Sequence, residues 1–359
     1  MVKWAVVTTP DGRRAHGATV STIPSNDVPR PAPATRRGGR ARLRALRWLS
    51  PLVILGVPAV IATRAFVAEY RSFVVAPSHP DLAEARRHLP GLQQVALGNA
   101  SGPSDGWYAP GTLPAAVLLV HGAYGDRSSM LDEAKLLADA GFGVLSIDLP
   151  GHGARGGMMP FEGQADTALD TAVTWLQSQG ATSPRGLGAV GYSLGGYFLA
   201  QHASRDPRLR GVVLGSTMPS LDAFLRHEYR RWGALGYWPA YWADRARGLD
   251  VRHTSLLGAV AALSPRPVLF VVGQQDGVVP PSMTQPLIDA ARPPKEVLVL
   301  EHSGHVDFAQ TDPSHYGPAL VGFMRRALLS TPSDNAEQSS SLPQRAIVAP
   351  QPSPSETQP

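Results

Sequence analysis

The amino-acid sequence predicts a three-layer α/β domain built on a mostly parallel, doubly wound sheet. Short apolar runs rich in Val, Leu and Ile follow one another between about residues 114 and 330, and they do not alternate apolar with polar residues. Such runs are typical of strands buried on both faces of a parallel sheet. Amphipathic stretches of helix length separate them, and this alternation predicts helices on both faces of one right-handed, doubly wound sheet.

The predicted elements occur in a simple order along the chain. A helix is expected at about 81–89, followed by two short extended stretches at 92–97 and 107–109. The buried strands are predicted at 115–120, 142–147, 187–190, 211–214, 268–272 and 296–300, and the main helices at 128–140, 164–178, 194–204, 281–291 and 314–329. In sheets of this class, reactive groups collect at the carboxyl ends of the strands.

An insertion of about 50 residues separates the strands at 211–214 and 268–272, and it is rich in Trp, Tyr and Arg. We expect a small helical cap at about 218–262. Its aromatic side chains would form an apolar roof suited to an acyl chain, pack the cap onto the core, or contact a bilayer.

Composition and charge exclude several classes of protein. The chain of 359 residues has no cysteine, which rules out disulfides, thiolate chemistry and Cys-ligated metal sites. Its length allows one large domain with tails or two smaller domains. The net charge of +5 is uneven, because residues 1–71 carry +9 and the remainder therefore carries −4. A mildly acidic folded part argues against a nucleic-acid partner.

The N-terminal region predicts a membrane anchor. Residues 1–47 are interpreted as a basic, mostly flexible arm, 69–91 as a linker with a helix, 92–330 as the folded domain and 331–359 as a disordered tail. Residues 48–63 carry no charge and span about 24 Å as a helix, and snorkelling of Arg64 extends the segment to residue 68.

The arginines before this segment predict a single-pass signal-anchor at 48–68 with the folded domain outside the cytoplasm. A cleaved signal sequence, which would release a secreted protein, and a buried core helix are the alternatives.

The first chemical motif is Gly191-Tyr192-Ser193-Leu194-Gly195, at the end of the strand predicted over 187–190. A tight turn from strand to helix strains the central residue and needs small flanking residues, so Ser193 would project alone at its tip. The motif is weak by itself and gains specificity from its place between a strand and a helix.

A serine hydroxyl becomes a nucleophile when an imidazole takes its proton and an acid orients that imidazole. Asp276 follows the strand at 268–272 and is the acid candidate, whereas Asp148 and Asp222 lie on unsuitable loops. His305 follows the last strand and is the base candidate, with His302 as its rival. The order nucleophile, acid, base fits groups collected from successive strand ends.

The oxyanion of the reaction needs two backbone N–H donors. Leu194, directly after the nucleophile, and Ala123, in the loop after the strand at 115–120, are the candidates. The Tyr124 hydroxyl is a further possible donor. His121 and His152 are interpreted mainly as hydrogen-bonding residues that hold their loops.

These motifs together resemble the α/β-hydrolase superfamily, nearest to its monoacylglycerol-lipase-like and serine-peptidase-like branches. The matching pieces cover about residues 92–330 and are His121-Gly122, the segment 148–153, the Ser193 turn, the Asp276 segment and Gly304-His305. The resemblance implies a Ser193, Asp276, His305 triad, and its motifs are specific for fold and triad but not for substrate.

Two further sequence patterns resemble cofactor- or metal-binding motifs, but their positions in the chain argue against that function. The glycines of 186–191 fit GxGxxG but precede and enter a strand, and His227-Glu228 has no second histidine to complete HExxH. No metal or cofactor is therefore expected.

The sequence predicts a membrane-anchored serine hydrolase acting on a small-molecule ester or acyl substrate. An aminopeptidase or thioesterase with the same triad, or a non-catalytic binding module of this fold, is the alternative. Oligomeric state and acyl-chain preference are left open.

Overall fold

The computed structural model describes residues 39–98, 104–160, 162–179 and 186–329, and for residues 39–54 and 104 it describes the backbone alone. The tail predicted at 331–359 and most of the arm predicted at 1–47 lie outside these ranges. The chain divides into two compact units, Met1–Val53 and Ile54–Pro359. The described part of the first unit is helical backbone, and the second unit contains the sheet and the remaining elements.

Ten strands and eleven α-helices occur within the described ranges. The strands are β1 (Val74–Val75), β2 (Gln93–Leu97), β3 (Ser104–Ala109), β4 (Ala116–Val120), β5 (Gly143–Ile147), β6 (Gly157–Met158), β7 (Leu187–Tyr192), β8 (Leu209–Gly215), β9 (Val268–Gly273) and β10 (Lys295–Leu300). The helices are α1 (Gly39–Ser72), α2 (Leu82–His88), α3 (Leu131–Asp139), α4 (Glu162–Ser178), α5 (Leu194–Arg205), α6 (Leu221–Glu228), α7 (Ala234–Ala246), α8 (Leu257–Ala262), α9 (Pro281–Ala290), α10 (Phe308–Thr311) and α11 (Pro313–Leu329).

Eight strands form one sheet in the order β10-β9-β8-β7-β4-β5-β3-β2, and β1 pairs with β6 in a separate ribbon. Strands β4, β5 and β7 to β10 are mutually parallel, whereas β3 is antiparallel to both β5 and β2. The predicted α/β class with a mostly parallel sheet is confirmed. Parallel pairing aligns the carboxyl ends of the central strands at one edge, where the loops that carry the site begin.

Burial on both faces explains the continuous apolar runs in the sequence. In β4, Leu118 and Val120 join the core that includes residues of α4, α5, α8 and α9. Val117 and Leu119 join the core on the other face, with residues of α2, α3 and α11. Because successive side chains of a strand point to opposite faces, neither face tolerates a polar residue, and the run is apolar throughout.

Helix α1 differs from the predicted N-terminal organisation. It begins at Gly39, inside the segment predicted as a flexible arm, and continues to Ser72, beyond the predicted end of the anchor at residue 68. Arg, Ala and Leu between residues 40 and 47 are strong helix formers, so the helix extends back through the arginine cluster. Among the residues whose side chains the structure describes, no helix is both long and apolar enough to cross a membrane. The predicted anchor at 48–68 begins outside these residues and stays a prediction.

The segment between β8 and β9 is helical, as the predicted cap requires, and contains α6, α7 and α8. The C-terminal part of α1 packs against it, because the Tyr229 hydroxyl donates to Glu69 Oε2 at 2.9 Å. The Arg247 guanidinium lies 3.8 Å from the centre of the Phe73 ring, directly after α1. The cap is therefore held both by the core and by α1.

Candidate active site

Ser193 lies at the turn between β7 and α5. Its backbone has φ 51° and ψ −120°, a left-handed conformation that costs a non-glycine residue of the order of 1–3 kcal/mol. The turn is held from both sides, since the Ser193 N–H donates to Gly215 O at 2.9 Å and Tyr197 N–H donates to Ser193 O at 3.0 Å. The strained turn presents the side chain at the end of the strand, as the motif predicted.

The glycines of this turn are required by close backbone contacts. A Cβ atom on Gly195 would lie 2.2 Å from His121 O and 2.6 Å from Val120 O, so α5 packs directly onto the end of β4. A Cβ atom on Gly122 would lie 3.2 Å from Ser193 Cβ. The loop after β4 therefore runs immediately beside the serine.

Asp276 lies in the loop after β9, and its carboxylate is fully buried. Its Oδ1 accepts hydrogen bonds from the N–H groups of Val278 and Val279, both at 2.8 Å. Burial raises the pKa of this carboxyl, but the hydrogen bonds from His305 and Val279 outweigh burial and leave the pKa below its ordinary value. Asp276 is therefore an ionised carboxylate at neutral pH.

His305 lies in the loop between β10 and α10 and bridges the other two residues. Its Nδ1 is 2.8 Å from Asp276 Oδ2, and its Nε2 is 3.1 Å from Ser193 Oγ. Because Asp276 accepts the hydrogen bond, Nδ1 carries the proton and Nε2 is left to accept from the serine hydroxyl. The structure thus brings together Ser193, Asp276 and His305, which are far apart in sequence.

His302, the rival base, has a different partner. Its Nδ1 lies 3.1 Å from Asp312 Oδ1, and its side chain is 73% exposed. Asp312 also accepts from the Ser303 hydroxyl at 2.8 Å and from the His302 N–H at 3.1 Å. This second His–Asp pair holds the loop on which His305 lies.

The two predicted oxyanion donors belong to the turn that carries Ser193 and to the loop beside it. Leu194 is the first residue of α5, so its N–H has no acceptor within the helix. Ala123 follows Gly122, which packs against the serine as described above. The Tyr124 hydroxyl donates to Ser72 O at 2.6 Å and is therefore engaged by the end of α1.

A neutral histidine fixes the loop that carries Ala123. The His121 side chain is buried, and burial, together with the neighbouring His152, lowers its pKa to about 4. Its Nδ1–H donates to Gly122 O at 2.7 Å, and its Nε2 accepts from the Leu149 N–H at 3.1 Å. This places His121 in the loop-holding role that the sequence favoured over a catalytic one.

The sequence did not reveal that the carboxyl of Glu133 is buried against Tyr192, the residue before the serine. The Tyr192 hydroxyl donates to Glu133 Oε1 at 3.0 Å and also contacts the Tyr316 hydroxyl. Burial raises the pKa of Glu133 to about 7. Since Glu133 lies in the first turn of amphipathic α3, where acidic residues are common, its sequence position gives no signal of burial.

Comparison with known proteins agrees with this geometry. A family model described as "Alpha/beta hydrolase family" matches residues 117–315, which is more than half of the chain. An uncharacterized protein of Mycobacterium tuberculosis is 28% identical over 294 residues, covering 80% of this chain and 98% of that protein. The uncharacterized protein YfhR of Escherichia coli is 25% identical over 233 residues, covering 62% of this chain and 77% of that protein.

Among solved structures, the esterase Pf2001 of Pyrococcus furiosus is similar in fold, with a TM-score of 0.59 at 19% sequence identity. The match covers 71% of this chain and 97% of the esterase. The sheet order, the strand-to-helix turn at Ser193 and the matched family model lead to one assignment. The chain belongs to the alpha/beta hydrolase family.

Proposed function

We propose that this protein is a serine hydrolase that cleaves carboxylic esters through an acyl-enzyme intermediate. The observation that carries the proposal is the continuous hydrogen-bonded path from Asp276 through His305 to Ser193, with contacts of 2.8 Å and 3.1 Å. A nucleophile, a base and an orienting acid in contact are the arrangement that acyl transfer requires.

In the proposed acylation step, Ser193 Oγ attacks the ester carbonyl as its proton passes to His305 Nε2. The imidazolium is stabilised by the Asp276 carboxylate, and the N–H groups of Ala123 and Leu194 stabilise the oxyanion. Collapse of the tetrahedral intermediate expels the alcohol, which receives the proton from His305. Water deprotonated by His305 then attacks the acyl-enzyme and releases the acid and the free serine.

The experiment compares Ser193→Ala with wild type in the full chain. We expect kcat/KM for p-nitrophenyl esters to fall at least about 10⁴-fold and covalent labelling by a fluorophosphonate probe to disappear. Ser204→Ala on the same helix, whose hydroxyl donates to Gln201 O at 2.7 Å, is the matched control and retains both. Labelling of the Ser193→Ala protein would refute the nucleophile assignment.

The class of substrate is determined by measuring the hydrolysis of a panel of model substrates. Graded p-nitrophenyl esters, aminoacyl amides and acyl thioesters distinguish the proposed esterase from an aminopeptidase or a thioesterase with the same three residues. Turnover of none of these, together with no fluorophosphonate labelling, would favour a binding module.

A further inference from the structure

The cap exposes an unusual set of large apolar side chains. Leu235, Trp238 and Trp242 lie on one side of α7 and are 45%, 43% and 60% exposed, and Trp232, two residues before the helix, is 55% exposed. We call these four residues the tryptophan face. Tryptophan is mostly buried in folded proteins, and clustered exposed apolar residues mark interaction surfaces.

The orientation of this face is fixed by the rest of α7. Tyr237 and Ala240 on the opposite side of the helix are buried and pack with Leu225 of α6. The His227 ring donates to Gly277 O at 3.1 Å, next to Asp276, so the cap is also tied to the active-site edge. The tryptophan face is thus held outward by a packed helix.

The charges bordering the face are positive. Arg230 and Arg231 are exposed and immediately precede Trp232; the exposed Glu228 lies two residues before Arg230, and no acidic residue occurs from 229 to 243. In the described part of the chain, neither of these arginines forms an ion pair with a carboxylate. The Arg252 guanidinium lies 5.2 Å from the centre of the Trp238 ring. Since residues 72–359 carry a net charge of −4, this positive border is a local feature of the cap.

A pocket of about 340 Å³ opens beside the face, between α6 and α7. Arg226 and Arg230 line it together with the rings of Tyr229, Tyr237 and Trp238, and Arg226 is already paired with Asp222 at 2.7 Å. Arg230 forms no ion pair among the described residues, and its guanidinium beside aromatic walls suits a phosphate group attached to an apolar or glycerol body.

We propose that the cap docks onto an anionic phospholipid surface through the tryptophan face and its bordering arginines. Indole rings favour the boundary between headgroups and acyl chains, and arginines there pair with lipid phosphates. A second copy of the chain fits the face poorly, because a two-fold contact would bring the positive borders towards one another. If the protein is the esterase proposed above, docking would hold its active site beside ester substrates in the membrane; this consequence rests on that proposed function.

The test is binding of the full-length protein to vesicles of phosphatidylcholine, with and without phosphatidylglycerol, measured by co-sedimentation. We expect binding to the anionic vesicles that weakens as salt is raised. Each arginine near such a surface contributes about fivefold to partitioning, so Arg230→Glu with Arg231→Glu should weaken binding at least about 25-fold. Trp232→Ser with Trp242→Ser should weaken it about tenfold or more.

Exposed residues elsewhere provide matched controls. Arg292→Glu reverses the charge of an exposed arginine outside the cap, and Met158→Ser removes a side chain that is 44% exposed on β6. Both variants should bind as wild type does. Fluorophosphonate labelling and thermal unfolding, measured in parallel, separate loss of docking from loss of the hydrolase or of the fold.

Because Trp48 lies in the segment predicted as an anchor, quenching of tryptophan fluorescence by bromine-labelled acyl chains is compared between wild type and the variant with Trp232→Ser and Trp242→Ser. We expect strong quenching of wild type in anionic vesicles and much weaker quenching of the variant. Three results would overturn the proposal. They are absence of vesicle binding, wild-type binding by both cap variants, and a wild-type dimer that both variants dissociate.

Discussion

Replacing Asp276 with asparagine isolates the role of the carboxylate, because the change keeps its shape. In the Asp276→Asn variant, the side-chain amide oxygen would still accept from the N–H groups of Val278 and Val279, which lie 2.8 Å from the present Oδ1. The new amide NH₂ would face His305 Nδ1 across the present 2.8 Å contact. Because an amide NH₂ donates, the imidazole would carry its proton on Nε2 and be unable to accept from Ser193 Oγ.

The size of the effect follows from the charge that is lost. Carboxylate and imidazolium centres about 4 Å apart attract by about 4 kcal/mol at an effective dielectric constant of about 20. That energy corresponds to about 10³ in rate, and the wrong tautomer takes the loss towards about 10⁴. We expect kcat/KM for a p-nitrophenyl ester to fall by this factor while thermal unfolding changes little.

Asp312→Asn is the matched control, since Asp312 holds His302 as Asp276 holds His305. If His305 is the base, Asp312→Asn keeps kcat/KM within about tenfold of wild type and acts mainly on the stability of the loop. A loss with Asp312→Asn as large as that with Asp276→Asn would refute the assignment of the base. So would retention of more than a tenth of the activity by Asp276→Asn.

Two predictions concern packing and pH. Gly195→Ala forces a Cβ to within 2.2 Å of His121 O and should lower the free energy of unfolding by about 3 kcal/mol or prevent folding. Gly163→Ala in α4, with open space around it, is the control and should be neutral or stabilising. Equal urea midpoints for the two variants would contradict this. Burial raises the pKa of Glu133 from 4.5 to about 7, so the folded protein holds a proton that the unfolded chain releases. The contribution of Glu133 to stability should therefore be full below about pH 4.5 and decrease by about 3 kcal/mol as the pH rises to about 7. Glu133→Gln should remove this part of the slope in urea titrations at successive pH values, while other buried carboxyls with raised pKa values retain theirs. An unchanged slope would show that Glu133 is ionised throughout.

Much of the fold was predictable because burial on both faces leaves a direct record in the sequence. Strands such as β4 and β9 lie between two cores, so every position is apolar and the run is recognisable without any partner. The strand-to-helix turn at Ser193 was equally visible, since its geometry requires glycine at fixed spacing. The bounds of α1 differ from those predicted for the anchor, because helix propensity and a short charge-free run do not reveal where a helix begins or what it packs against.

The sequence by itself determined the class of sheet, the order of its elements and which serine, aspartate and histidine stand at strand ends, because these follow from local periodicity and turn chemistry. Only the tertiary structure decided that His305, and not His302, contacts Ser193, since that choice depends on how two neighbouring loops fold over one edge. It also decided that Glu133 is buried against Tyr192 and that the cap directs its tryptophans outward. Contacts between residues distant along the chain leave no local pattern, so they are fixed only when the layers pack.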